Sequence, residues 1–284
     1  MRRSCAAGAR CALLALIVGL NWCRAAAEPL PLWEAGAGGS IAYLPDYRGS
    51  IDGAFYPLPL PYLVYRGDFL RVDRGGVRAQ VLDTERFDFD LSAGASVPVH
   101  SSGNRVRRGM ANLRPTLELG PVASVHLWRA TERNAVLDLR LPVRTAFAIG
   151  GSDIVRDVGV VAAPALNLDL KLAAAGGRWN LGLLAAAIYG DRRYFGYYYD
   201  VAAADATVGR PTYRARGGYG GWQAIAAISR RLDRIWLGGF IKFDSVRGAV
   251  FADSPLVTKW QQVSGGIGIT YIFAVSEQRV EREE

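Results

Sequence analysis

Thiols, histidines and long apolar helices are scarce in this chain of 284 residues, and each shortage excludes a class of protein. The three cysteines, Cys5, Cys11 and Cys23, all lie in the first 27 residues, so the rest of the chain has no disulfide and no thiol chemistry. There are two histidines, which leaves few candidates for a catalytic base. No segment is apolar enough for a membrane-spanning helix.

The first 27 residues have the three parts of a secretory signal peptide. The positively charged Met1-Arg2-Arg3 comes first, an apolar stretch runs from Cys11 to Leu20, and Ala25-Ala26-Ala27 forms a small-residue cleavage site. A lipid anchor at Cys23 is the alternative, although the tryptophan before it is bulkier than such an anchor requires. Cleavage would remove four arginines and lower the net charge from +8 to +4, so no nucleic-acid partner is expected.

Alternation of apolar and polar residues is the main pattern in what remains. Between Phe87 and Val97, every second residue is apolar, and Asp, Ser or Gly fills the positions between. The same period recurs at 137–149 and at 166–172. Period two predicts β-strands that have one apolar and one polar face.

These segments predict an all-β fold, an antiparallel transmembrane β-barrel of about ten strands. Their links alternate between short turns, expected in the periplasm, and long loops, expected outside the cell. An alternative of about twelve strands would break the chain at Arg66-Gly67-Asp68 and near Asp83-Thr84, but its shortest strands would have fewer residues than the roughly 9 to 11 needed to span a membrane. The strands are expected at 33–43, 56–72, 77–97, 113–128, 134–149, 157–173, 178–189, 216–231, 234–246 and 258–273.

Charged residues fall on the non-apolar face of these strands. A soluble sandwich would bury its apolar faces, whereas a barrel turns them toward lipid and keeps polar groups in its lumen. We therefore expect a filled or narrow lumen that is lined by Asp88, Asp90, Glu118, Arg140, Arg144, Asp169, Lys171, Lys242 and Asp244.

Aromatic residues gather at the strand ends, where the two interfaces of a membrane would lie. The tryptophans next to the N-terminus or a short turn predict a periplasmic girdle of Trp33, Trp128, Trp179 and Trp236. The aromatic residues next to the long loops predict an outer girdle of Trp260, Tyr43, Tyr189, Tyr194 and Tyr197 to Tyr199.

The end of the last strand resembles the C-terminal signal that the barrel assembly machinery reads, and its residues are Gly268, Tyr271 and Phe273. A charged tail follows at 274–284, which we expect to be disordered and periplasmic, with a helical docking peptide as the alternative. The chain is thus divided into a signal peptide at 1–27, a barrel at 28–273 and this tail.

Several short motifs, in their order and spacing, resemble the MipA/OmpV family of outer-membrane proteins over nearly the whole mature chain. They include Tyr47, Gly49 and Ser50 in one loop, Ser254 and Pro255 in another, Gly109-Met110, Glu118-Leu119-Gly120, and the segment from Tyr197 to Val201. The resemblance implies a non-enzymatic scaffold in the outer membrane of a Gram-negative bacterium. Its implied partners are a membrane-bound lytic transglycosylase and a murein synthase, and it implies no cofactor.

Residues that could perform chemistry fit structural roles better. His126 is expected to line the lumen near the periplasmic end. His100 stands beside Ser101 in a loop, where adjacency rarely gives the geometry of a serine hydrolase. Arg66-Gly67-Asp68 spells an adhesion tripeptide but lies within a predicted strand.

Three functions are expected, the first of them only because the resemblance implies it. The first is the scaffold, the second is a narrow channel for small solutes or ions, and the third is an adhesin or receptor that acts through the loop at 190–215. Outer-membrane lipid and the barrel assembly machinery are expected partners. Lipopolysaccharide is a further expected partner. The basic loop that contains Arg105, Arg107 and Arg108 is interpreted as a generic solvated loop, with attraction to lipopolysaccharide as the alternative.

Overall fold

A computed structural model describes residues 30–66, 70–73, 76–79, 82–83, 86–130, 134–151, 153–174 and 177–280. The predicted signal peptide at 1–27, with the alternative anchor at Cys23, lies outside the described residues, as do Gly67 and Asp68 of the tripeptide. Within the described ranges, no helix is both long and apolar enough to cross a membrane.

Strands dominate the structure, because residues that alternate between apolar and polar suit a sheet with two different faces. One short helix, α1 (Arg192–Tyr199), and a 3-10 turn at Ala203–Asp205 interrupt them. The strands are β1 (Leu30–Pro31), β2 (Trp33–Pro45), β3 (Gly53–Arg66), β4 (Leu70–Asp73), β5 (Gly76–Ala79), β6 (Leu82–Asp83), β7 (Phe87–Ala95), β8 (Thr116–Arg129), β9 (Ala135–Ile149), β10 (Val155–Ala162), β11 (Ala165–Ala174), β12 (Gly177–Gly190), β13 (Gly218–Leu232), β14 (Ile235–Ser245), β15 (Gln261–Val275) and β16 (Arg279–Val280).

One antiparallel sheet contains all of these strands except β1 and β16. Most strands that follow one another in sequence are neighbours, and β2 pairs with β15 at the other end of the chain. The order of paired strands starts at β5 and ends with β7 and β6. Because β5 lies against β7, the two edges of the sheet meet and the sheet closes on itself. The fold is therefore the predicted antiparallel β-barrel. Its short-turn end carries the β8–β9, β11–β12 and β13–β14 links, and its long-loop end carries the long connections.

Two predicted strands are wrong as single strands. The strand expected at 56–72 is divided by a hairpin, in which Arg66 of β3 pairs with Arg71 of β4. The strand expected at 77–97 is divided by the hairpin between β6 and β7. Both divisions fall where the twelve-strand alternative places them, and the apolar positions change phase at each turn.

A third predicted strand, at 157–173, is one line broken into β10 and β11. Pro164 lies at the break, because proline has no backbone N–H to donate to a neighbouring strand. Both pieces pair with β9 on one side and β12 on the other. The line therefore continues past the proline without changing partners.

Large apolar side chains cover the outer face of the barrel. They alternate with buried or polar residues, as period two requires. A water-soluble surface rarely exposes so much contiguous apolar area, so this face suits lipid. Its residues include Ile41, Phe55, Leu63, Phe89, Leu91, Leu119, Leu141, Leu166, Leu183, Ile228, Ile241, Ile267 and Ile269.

Residues 276–280 of the C-terminal tail are held in place by backbone pairing, so the expectation of disorder is wrong for this described part. The two-residue strand β16 pairs with β1, so that Leu30 lies opposite Val280. Ser276 N donates to Trp33 O at 2.8 Å, which extends the contact between the two ends of the chain. The tail is ordered because the N-terminal segment satisfies its backbone hydrogen bonds. We call this contact of residues 30–33 with residues 276–280 the terminal clasp.

Candidate functional site

Four long loops fold together into a packed cap at the long-loop end. The cap comprises residues 46–52, 96–115, 191–217 and 246–260. Because all four loops contribute to one buried core, they form a single unit. That core consists of Tyr47, Val99, Leu113, Phe195, Tyr199, Val201, Ala215, Val246, Ala249, Phe251 and Leu256.

Helix α1 carries the cap into the mouth of the barrel. Asp191 caps its N-terminus, where the carboxylate accepts a hydrogen bond from Tyr194 N at 2.7 Å. Phe195 and Tyr199, four residues apart, are buried on one face of the helix. The Tyr194 hydroxyl donates to Glu118 of the inner wall at 2.9 Å, so the helix is fixed to the lumen.

Glycines on the inner wall make room for this helix. Gly159 has φ +117, and a Cβ there would lie 2.4 Å from Tyr194 N. A Cβ on Gly220 would lie 2.5 Å from the Phe195 ring. A larger residue at either position would push α1 out of the barrel mouth.

Arg48 connects the cap to the lumen wall. Its Nε donates to Asp244 at 2.8 Å and its Nη1 to Gly220 O at 2.7 Å. The Tyr199 hydroxyl donates to Arg48 O at 2.7 Å, which ties α1 to the first loop. Lys242 Nζ lies 3.0 Å from the second oxygen of Asp244. Two cations thus neutralise one buried carboxylate beneath the cap.

Two buried arginines hold the loops together through backbone carbonyls. Arg107 donates to Tyr198 O at 3.1 Å and to Ala111 O at 3.2 Å. Arg210 donates to Val106 O at 2.6 Å. Burial lowers the pKa of Arg107 from its ordinary value. A buried cation is costly without hydrogen-bond partners, so these contacts favour one arrangement of the loops.

The residues that carried the family resemblance meet inside the cap. The Tyr47 hydroxyl donates to Leu256 O at 2.8 Å, which joins the first and last cap loops. The Ser254 hydroxyl donates to Tyr199 O at 3.0 Å, which joins the last loop to α1. Motif residues that are far apart in the sequence therefore belong to the same folded cap. These motif residues are Tyr47, Gly49, Ser50, Ser254 and Pro255.

One expectation about this end is wrong. Tyr194 and Tyr197 to Tyr199 do not form an outer girdle, because α1 packs inside the mouth. Arg107 is buried and Arg105 pairs with Asp52 at 2.8 Å, so the loop at 98–112 offers less free positive charge than its sequence indicates.

Ser101 serves the cap as a structural residue. It is buried, and its hydroxyl donates to Ala111 O at 2.8 Å. Its backbone N donates to Asn112 at 2.9 Å. The hydroxyl proton is therefore engaged with a backbone carbonyl instead of a histidine.

The nine predicted lumen charges lie on the inward faces of their strands. His126 lies between two carboxylates, with Nδ1 2.7 Å from Asp138 and Nε2 3.0 Å from Asp88. Arg144 Nε lies 3.5 Å from Glu118. In the part of the chain that the structure describes, no group of three or more His, Cys, Asp and Glu residues could hold a metal ion.

The other predicted lumen residues are spread along the wall. Asp90 is buried, and Asp169 accepts a hydrogen bond from Asn167 at 2.7 Å. Arg140 lies opposite Ser124 in the pairing of β8 with β9. Lys171 lies on β11, opposite Asn180 of β12. The structure therefore distributes these charges instead of gathering them into one centre.

A second, smaller closure lies at the short-turn end of the lumen. Glu34 is fully buried and pairs with Arg231. Trp236 packs against a buried cluster and lies opposite the buried Thr270, so it faces the lumen. Its assignment to the periplasmic girdle is therefore wrong. The buried cluster consists of Tyr62, Val64 and Ile272.

The remaining predicted girdle residues lie on the outer side. Trp33 and Trp128 are exposed at the short-turn end, and Trp260 is exposed at the long-loop end. The guanidinium of Arg230 lies 5.1 Å from the centre of the Trp179 ring. An arginine over an aromatic ring suits an interface between lipid and water.

The predicted assembly signal lies on β15, at the seam where this strand pairs with β2. Tyr271 and Phe273 are exposed on the outer face. Gly268 faces the lumen, where a Cβ would lie 2.8 Å from Leu60 Cδ2. The seam thus combines an apolar outer face with a close inner contact.

Comparison with known families gives one match over most of the chain. A family model described as MltA-interacting protein MipA matches residues 37–273. The matched region begins within β2 and ends within β15, so it includes the barrel wall and all four cap loops. No curated protein matches the chain.

Proposed function

The chain belongs to the MltA-interacting protein MipA family, and on that premise we propose that it is a non-enzymatic scaffold of the outer membrane. It holds a lytic transglycosylase and a murein synthase at the periplasmic face of that membrane. The family match over most of the chain is the observation that carries this proposal.

The difference between the two ends of the barrel supports a periplasmic docking surface. The long loops are committed to the cap, and many of their side chains are buried in its core. At the other end lie the short turns and the terminal clasp, where Glu277 and Arg129 are exposed. A periplasmic partner would therefore meet short, ordered segments with exposed charges of both signs.

Tethering is the mechanism that such a surface allows. A hydrolase held at the membrane has a higher effective concentration near a synthase held on the same barrel, without any new contact between the two enzymes. No side chain of the scaffold needs to touch murein. Activity in a mixture of the purified enzymes would depend on the geometry of the two docking sites.

Site-specific photocrosslinking tests the proposal. A photoreactive residue at Glu277 in the terminal clasp, or at Arg129 in a short turn, should capture a murein hydrolase from intact cells. The matched control is Val208, which is fully exposed at the tip of a cap loop and should capture none. Capture of the hydrolase only at Val208, or at none of the three positions, would contradict the proposal.

The cap weighs against the two other expected functions. An open channel requires a free mouth, whereas α1 contacts the inner wall there. An adhesin would have only the exposed parts of the loop at 190–215, since Phe195, Tyr199 and Val201 are buried.

A further inference from the structure

A basic cleft lies on the rim of the barrel at the long-loop end. Its volume is about 560 Å³. Arg247, Lys259 and Trp260 line it, together with Val257, Thr258 and Gln261. No acidic side chain is among these lining residues. The cleft therefore combines two cations with an aromatic ring and an apolar wall.

The two cations are available to a ligand. Within the described residues, neither the Arg247 guanidinium nor the Lys259 ammonium has a carboxylate partner, and both residues are exposed. The Arg247 guanidinium lies 5.6 Å from the centre of the Trp260 ring, which keeps it at the rim. This arrangement differs from that of Arg105, whose charge is neutralised by Asp52.

Backbone hydrogen bonds fix the walls of the cleft. Lys259 N donates to Gly49 O at 3.0 Å, and Val246 N donates to Trp260 O at 2.9 Å. The cations are therefore carried by segments that the cap already holds in place. A ligand would meet a preformed site, which lowers the entropic cost of binding.

An apolar groove lies below the cleft on the lipid-facing side. Its volume is about 530 Å³, and the small Ala224 and Ala226 lie between larger side chains. Val263 lies on its near edge, two residues along β15 from Gln261 of the cleft. Two residues of a strand span about 7 Å, so an acyl chain can follow directly below a head group that occupies the cleft.

We propose that the cleft and the groove together bind one molecule of lipopolysaccharide. A phosphate of its lipid A part contacts Arg247 and Lys259, and one acyl chain lies in the groove. Phosphate suits this pair, because arginine and lysine form charge-assisted hydrogen bonds with phosphate oxygens. The site is independent of the proposed scaffold role, since it lies at the opposite end of the barrel.

Native mass spectrometry of the purified mature protein in detergent tests this site. Bisphosphorylated lipid A is the probe, and dephosphorylated lipid A, phosphatidylglycerol and inorganic phosphate are the comparison ligands. The intact protein should retain one lipid A. The double variant Arg247→Ala with Lys259→Ala should bind it about tenfold more weakly or worse, because each cation contributes a charged hydrogen bond.

The matched control removes two exposed arginines from other loops of the same end, through Arg108→Ala with Arg214→Ala. It should leave lipid A binding unchanged. An equal loss in both double variants would show general charge attraction and overturn the site. Equal binding of dephosphorylated lipid A or of phosphatidylglycerol would overturn the assignment to lipopolysaccharide.

The groove has a test of its own. Ala226→Phe should fill it and weaken lipid A binding several-fold while inorganic phosphate binding stays the same. Ala93→Phe, on the outer face of β7, is the control that adds the same ring elsewhere on the lipid-facing surface. Unchanged binding by Ala226→Phe, or inorganic phosphate that binds as tightly as lipid A, would refute a role for the groove. Heat-modifiable migration in gels reports the folding of every variant.

Discussion

The two ends of the barrel are closed in different ways. At the long-loop end, four loops share a core in which Phe251 is fully buried and stacks on Tyr199 at a ring distance of 3.7 Å. At the short-turn end, the closure is a small cluster with Trp236 and the buried Glu34. The outer closure thus resembles the core of a small domain, whereas the inner one depends on a few side chains. The difference indicates that the cap is the main barrier to passage.

Deletion of the cap loop that carries α1 should have the largest effect. Residues 192–216 can be replaced by a short Gly-Ser link, because Asp191 Cα lies 3.2 Å from a Cβ built on Gly217. In planar bilayers the intact protein should be silent, the deletion should conduct, and the deletion combined with Trp236→Ala should conduct most. Trp236→Ala alone should have little effect. Steady conductance by the intact protein would show that the cap does not seal the lumen.

Phe251→Ala should loosen the cap without unfolding the barrel. Loss of a buried phenylalanine costs about 3 to 5 kcal/mol, and the loss should fall on the cap alone. Proteolysis at 191–217, followed at increasing urea concentrations, measures this cost. Ile51→Ala, at an exposed cap position, is the control. If the cap and the barrel lose stability together, they are one cooperative unit and the comparison of two separate closures fails.

Glu34→Gln tests the smaller closure. Loss of the charge leaves Arg231 without its carboxylate partner, and we expect a cost of about 1 to 3 kcal/mol. The urea midpoint of unfolding in lipid vesicles, followed by tryptophan fluorescence, reports it. Arg193→Ala breaks the exposed pair with Asp157 and should cost less than about 1 kcal/mol. Equal effects of the two variants would remove the distinction between a buried and an exposed pair.

Alkaline pH should weaken the cap gradually. Burial raises the pKa of Tyr47 to about 12, while an unfolded tyrosine ionises at about 10. Because the folded pKa is raised, this stabilisation is complete below pH ~10 and is lost as the pH rises toward ~12. Protease sensitivity of the cap should rise over the same interval. Tyr47→Phe should make that rise smaller; an unchanged pH profile would assign the effect to other groups.

The alternating pattern predicted the barrel, its inward charges and its outward apolar face from the sequence. It did not locate the hairpins within 56–72 and 77–97, because the short strands that they create were set aside as too short to span a membrane. The apolar positions do change phase there, from Leu63 and Tyr65 to Leu70 and Val72, and from Leu82 to Phe87 and Phe89.

The position of Trp236 could have been predicted by parity. Its position on β14 differs from those of Lys242 and Asp244 by an even number, so all three share the inward face. Its place at a strand end suggested a membrane interface, but the side-chain period of a strand decides which way the residue points.

The cap was harder to predict, although helix α1 left a local signal. Asp191 stands directly before Arg192, where an N-cap residue is expected, and Phe195 and Tyr199 have helical spacing. The contacts between loops have no such signal, since they join residues such as Tyr47 and Leu256 that are 209 positions apart. Packing in three dimensions brings them together.

The terminal clasp has a consequence for the order of assembly. Leu30 can meet Val280 only after nearly the whole chain has taken its place in the wall, since β2 and β15 must first be neighbours. A contact with this sequence separation forms late, because the chain between its partners must already be ordered. Protection of the tail from a carboxypeptidase would thus mark finished molecules and distinguish them from barrels whose seam is still open.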